Sequence, residues 1–213
     1  MYGDDYDMNK LISRIGAAIV AVTVFLFAVC LIVGVRFGYY IVCMFLPMGY
    51  IMMAEGFQHE CADDRRVAAN AGMVFSAVYA VLVLLVYFAQ TTSVRLGGLN
   101  EQAMAILDFR RGGLIFNYDL LGYGMMALST FFIGLSIRAR ARADRWLKGL
   151  MTVRGAFFFG CFIMPMTGAF TGMSGGDTGN GGVIALVAWC AYFLPVGILA
   201  YRHFSPRREG GAA

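Results

Sequence analysis

The sequence predicts an all-α, polytopic membrane protein: a six-transmembrane-helix bundle with both termini cytoplasmic. Three observations lead there. Of 213 residues, 60% are hydrophobic and 14% charged, against about 25% charged in soluble domains, so polar surface is too scarce to coat a water-soluble fold. The apolar residues fall into six runs, each long enough at 1.5 Å per residue for a hydrocarbon core of about 30 Å. The basic residues between those runs collect on alternate connections, as they do when they set topology.

The elements follow in order. Residues 1–11 form a polar tail with Asp4, Asp5 and Asp7 ahead of Lys10 and Arg14. The first apolar run is too long for a leader's core and lacks a small-x-small exit, so this helix is expected to be retained. A single membrane domain covers 12–203, with spans at about 12–34, 38–56, 67–90, 113–137, 149–171 and 182–203, and residues 204–213 form a second tail. The loop 91–112 is the longest. Within it, Asn100 as N-cap, Glu101 in the first turn and Arg110 and Arg111 at the end predict a short surface helix.

Thirteen of the seventeen Lys and Arg residues, from Lys10 and Arg14 through Arg154 to Arg202, Arg207 and Arg208, lie on the side of the termini; Arg36, Arg95, Arg110 and Arg111 lie on the other. That bias assigns the termini to the cytoplasm; short loops and the lack of a long processed leader suggest a plasma membrane of prokaryotic type, in which the chain is a multi-pass protein. The strongest contribution is RARARADRWLK. Its Arg138, Arg140, Arg142, Arg145 and Lys148 either enforce topology alone or also seat anionic lipid headgroups. The net charge of +4 is spread over these loops with no basic face on a soluble module, so a nucleic-acid partner is not expected.

Two strings resemble each other: CMFLPM at 43–48 and CFIMPM at 161–166. They occupy the second and fifth spans, which correspond if the chain is two inverted sets of three. Pro47 and Pro165 are then candidate helix breaks, since proline frees a carbonyl one turn earlier and such interruptions mark binding regions in inverted-repeat transporters. Pro195 in the sixth span has no counterpart in the third, which weakens the repeat.

Polar residues form stripes. At 100° per residue, Ser76, Tyr79, Tyr87 and Gln90 share one face of the third span within roughly 80°, and Asp119, Tyr123 and Thr130 share one face of the fourth within roughly 60°. The stripes meet near FNYDLLGYG. One account is interfacial: Asn117 caps, Asp119 complements the helix N-terminus, and Tyr118 and Tyr123 belong to the aromatic belt. The other is functional: Asp119, Tyr123, Tyr87, Gln90, Tyr79 and Thr130 line an outward-facing polar pocket, with Arg95, Arg110 or Arg111 as the expected partner of the carboxylate.

Other chemistry is poorly supported. GMSG at 172–175 has the pattern of a serine nucleophile, but His59 and His203 are expected at the opposite face, beyond the reach a base needs. Glu55, His59 and Cys61 would meet a zinc ion only with a bend, and the cysteines show no paired spacing, so no metal or cofactor is expected. Gly168 and Gly172 form a small-xxx-small pair suited to helix packing or a homodimer face. Two functions fit. One is a transporter or permease with a polar pocket between spans three and four. The other is a non-catalytic membrane subunit or sensor whose basic inner loop docks a cytosolic partner or anionic lipid. An intramembrane enzyme is disfavoured, because acid-base groups are scarce at any one depth.

Overall fold

Chemistry at its two ends delimits the first helix, α1 (Met8–Val33). Asp7 accepts from the Lys10 amide at one end, and Gly34 takes a left-handed conformation (φ 77°) at the other. The amides of Gly34 and Val35 then return to the Leu31 and Cys30 carbonyls, which caps the helix and reverses the chain. The computed structural model describes residues 7–168 and 180–206. After α1 come α2 (Arg36–His59), α3 (Arg66–Ala89), α4 (Glu101–Leu107), α5 (Leu114–Ser136), α6 (Arg142–Val153), α7 (Phe157–Met166) and α8 (Asn180–Phe204). A π-helical turn, Gln90–Val94, extends α3, and a 3₁₀ turn, Arg154–Ala156, joins α6 to α7.

Among the described residues, six helical stretches are long and apolar enough to cross a membrane, with α6, the 3₁₀ turn and α7 together making the fifth. They pack as a ring in chain order: α1 on α2, α2 on α3, α3 on α5, α5 on α6 and α7, and α6 on α8, which closes against α1. Five of the six crossings contribute a large, fully buried side chain to the centre, and α1 adds Val20 and Val24. Tyr50, Tyr79, Met126, Arg154 and Phe193, from α2, α3, α5, the 3₁₀ turn and α8, are all at most 1% exposed. The outside is apolar, with Ile32, Leu85, Phe88 and Phe159 exposed. An apolar exterior around a polar-aromatic interior is the arrangement a lipid solvent favours.

The helices approach closely because small residues sit at the seams. A Cβ on Gly49 would lie 2.6 Å from Ile19 and 2.9 Å from the Gly16 carbonyl, and one on Gly72 would lie 2.7 Å from Ile133. With little hydrophobic drive between helices in lipid, such contacts supply the packing.

Three expectations change here. The fifth crossing starts at Arg142, not 149, because Asp144 caps the Arg140 and Ala141 amides while Leu147 and Met151 bury one stripe. Arg142, Arg145 and Lys148 therefore ride on a helix, and Arg154 stands at the midpoint of the crossing. Pro47 is not a break, since α2 runs through it, and Pro165 falls in the last turn of α7. Proline removes one donor but the neighbouring rungs hold, and the irregular turn in the fifth crossing lies at Arg154 instead. The surface helix ends at Leu107, and Arg110 and Arg111 follow in a separate 3₁₀ turn, Phe109–Arg111. Gly172, Ser174, Arg207 and Arg208 lie outside the described residues.

The seam predicts a contrast. Gly49→Val drives a side chain into Ile19 and lowers stability by about 1–3 kcal/mol, the cost of overpacking. Gly149→Ala, with open space around its Cβ, is neutral or slightly stabilising. Thermal unfolding in detergent measures both.

Candidate functional site

Asp119 is the sixth residue of α5 and is 5% exposed. Asn117 and Tyr118, on the other face, are exposed, and Asn117 caps nothing; the N-cap position is Gly113. The carboxylate therefore points inward while its neighbours meet the surroundings. Its Oδ2 accepts from the Tyr87 hydroxyl at 3.5 Å, and Oδ1 has no partner among the described residues. Rings continue the seam inward. Tyr79 and Tyr123 lie with centroids 5.8 Å apart, Tyr50 and Tyr79 5.7 Å, and Tyr123 and Trp189 5.4 Å. The Tyr79 hydroxyl is buried without a partner. The Tyr50 hydroxyl donates to Ser129 at 2.9 Å, and Ser129 donates to the Gly72 carbonyl at 2.7 Å, joining α2, α5 and α3.

The expected arginine partners do not reach Asp119, because other groups are closer. Arg110 pairs with Asp108 at 2.7 Å and Arg111 with Glu101 at 2.6 Å. Arg95 lies over the Phe37 ring and donates to the Thr91 carbonyl. Gln90 is also engaged: its Nε2 donates to the Leu107 carbonyl at 2.8 Å and its Oε1 accepts from the Phe109 amide at 3.1 Å. Both ends of the amide hold the loop, so Gln90 works as a clasp. Thr130 donates to its own helix, at the Met126 and Ala127 carbonyls. Of the six residues singled out, Asp119, Tyr87, Tyr123 and Tyr79 face a common interior; Gln90 and Thr130 have their hydrogen bonds committed elsewhere.

Arg154, counted above among the basic residues of the terminal side, is instead 1% exposed in the bundle interior. Its guanidinium carbon lies 4.2 Å from the Phe193 ring, 5.1 Å from Trp189 and 5.9 Å from Phe157. Nη2 meets the Met126 sulfur at 3.3 Å, a weak acceptor, while Nε and Nη1 have no partner among the described residues. Asp119 and Met126 are seven residues apart, about 10 Å along α5. The interior thus holds a carboxylate and a guanidinium that do not pair, with tyrosines between.

The end carrying the termini has its own junction. His203 of α8 contacts Asp144 through Nδ1 at 2.9 Å and Glu60 through Nε2 at 3.1 Å, tying the ends of α2, α6 and α8. The His203 hydrogen bond holds the Glu60 carboxyl below its usual range. A polar cavity of about 280 Å³ beside it is lined by residues including Asn9, Lys10, Glu60 and Arg140. Arg138, Arg140, Arg142 and Arg145 are exposed there with Trp146, while Lys148 reaches the Ile137 carbonyl. Among the described residues no three His, Cys, Asp or Glu side chains could hold a metal ion.

Compared with protein families, curated proteins and solved structures, the chain matches none. Sequence reasoning passed over Arg154, Tyr50, Trp189 and the His203 junction. For Arg154 a signal existed, an arginine well inside an apolar run, but starting the span at 149 put it at the membrane edge.

Two outcomes follow. Gln90→Leu leaves the Leu107 carbonyl and Phe109 amide without partners, a loss of about 1–3 kcal/mol, and hydrogen exchange at Phe109 accelerates by about tenfold or more. Because the Glu60 value is depressed on folding, its contribution is complete above the ordinary carboxylate value and disappears as pH falls through the lowered one. Thermal stability scanned from about pH 7 to pH 3 therefore shows an acid limb that Glu60→Gln makes shallower, the remainder coming from carboxylates such as Asp144 and Asp108 that are also held low.

Proposed function

We propose that this chain is a small permease that carries a polar solute or ion through the interior of its six-helix ring. The observation that carries this reading is Asp119, a buried carboxylate with one oxygen unpartnered among the described residues. An ionisable group inside a membrane bundle is costly, and its usual role there is in a substrate or proton path. Asp119 binds a cation or proton, and Tyr87 and Tyr123 orient what enters. The basic bias of the terminal side supports termini in the cytoplasm, with Arg138, Arg142, Arg145 and Trp146 among anionic headgroups of a plasma membrane.

The test is flux into proteoliposomes of the purified full chain under imposed proton, sodium or potassium gradients, read with entrapped ion-sensitive dyes. The wild type dissipates at least one gradient faster than empty liposomes. Asp119→Asn, which keeps the shape and loses the charge, abolishes that flux while the protein remains monodisperse and helical. Equal flux with the neutral residue overturns the assignment.

A further inference from the structure

Asp119 accounts for only one of the two buried charges, and Arg154 has a different chemistry. It stands at the midpoint of a 25-residue crossing, Arg142–Met166, so its guanidinium lies near mid-depth of the bundle. Three aromatic rings surround the cation, and its contact with Met126 is a weak one. Nε and Nη1, which carry three of the five N–H groups, are unpartnered among the described residues. No carboxylate there lies within ion-pair distance: Asp108 pairs with Arg110, Glu101 with Arg111, and Asp144 with His203. A buried cation with open donors lacks the compensation that charge burial requires.

A surface feature lies near it, separated from the guanidinium by Phe157. An apolar groove of about 420 Å³ runs between α5 and α7, with Leu120, Phe157, Cys161 and Met164 among its walls. Phe157 belongs both to this wall and to the ring set around Arg154. A ligand with an anionic head and an apolar tail would satisfy both features, the head at the guanidinium and the tail in the groove.

We infer that Arg154 and the α5–α7 groove form a binding site for a single-chain amphiphilic carboxylate, whose head accepts from Nε and Nη1. This rests on reading the ring interior as a solute path, and it adds the substrate class. Depth favours a free carboxylate over a membrane lipid. The headgroup of a diacyl lipid stays at the interface, while Arg154 is eight residues, about 12 Å along the helix, inward of Trp146, the innermost residue placed among the headgroups. Planar carboxylate also matches the guanidinium fork.

The chain has two tryptophans. Trp146 is exposed and far from the site, and Trp189 lies against Arg154. Trp146→Phe therefore leaves Trp189 as the sole reporter. The full chain with this substitution, in phosphatidylcholine nanodiscs, is titrated with octanoate and, separately, with octanol. Octanoate gives a saturable change in Trp189 fluorescence and octanol does not. Arg154→Gln weakens octanoate binding by about tenfold or more, the scale of losing charge-assisted hydrogen bonds. Arg154→Lys, which keeps the charge without the fork, falls between.

Equal responses to octanoate and octanol overturn the site, and that comparison needs no Arg154 variant to fold. An unchanged affinity in Arg154→Gln overturns it too. So does a response to phosphatidylglycerol in the nanodisc with none to octanoate, which would mark a lipid site, and so does no response at all, which would mark a hydrated arginine. Octanoate binding without any flux in proteoliposomes keeps this site and removes the permease. Asp119-dependent flux without octanoate binding does the reverse.

Discussion

Two opposite charges buried in one low-dielectric interior, and held apart, are the constraint on which the rest of the structure turns. Paired at contact, Asp119 and Arg154 would neutralise each other. Instead seven residues of α5 separate the carboxylate from Met126, the residue against the guanidinium. Each charge is lodged by different means, a tyrosine hydroxyl for Asp119 and ring faces for Arg154. Cation–π contact stabilises the face of a guanidinium and leaves its edge donors open. The ring of helices must therefore enclose both groups, since either one facing acyl chains would cost far more.

Closure depends on small residues. Gly16 and Gly49 bring α1 and α2 together, Gly197 brings α8 onto Ala21 of α1, and Gly134 admits Met151 and Thr152 beside α5. Gly72 contributes twice: its missing side chain makes room for Ile133, and its carbonyl accepts from Ser129. These approaches leave a centre narrow enough for tyrosine and tryptophan rings to fill. The fifth crossing is the exception. Its second half, α7, buries none of its residues, and the 3₁₀ turn that precedes it begins at Arg154. A tightened turn in mid-crossing is a departure from regular helix, and here it coincides with the buried cation and adjoins the lateral groove.

The ends are tied by polar chemistry that the apolar runs do not hint at. At the loop end, Gln90 holds Leu107 and Phe109, and Phe109 packs against Tyr40, Tyr87 and Phe116. At the terminal end, one histidine joins three helices through two carboxylates. Both clasps sit at the ends of the crossings, and the charged members belong to the His203 junction alone.

The number of crossings followed from composition alone, because lipid solvent demands about twenty apolar residues for each. The 100° spacing placed Asp119 on one face with Tyr123 and left open whether that face met headgroups or protein; the contact with Tyr87 is tertiary. The α4 N-cap was legible too, since Asn100 bonds the Ala103 amide three residues on. These are local or periodic properties, carried by neighbouring residues. Partner choice is not local. Tertiary structure alone decided that Asp108 and Glu101 take the arginines expected for Asp119, that Gln90 clasps a loop, and that His203 meets residues 59 and 143 positions away. Arg154 shows why: in sequence it adjoins a basic stretch, and only the start of α6 at Arg142, with the closure of α8 behind it, turns a surface charge into a central one.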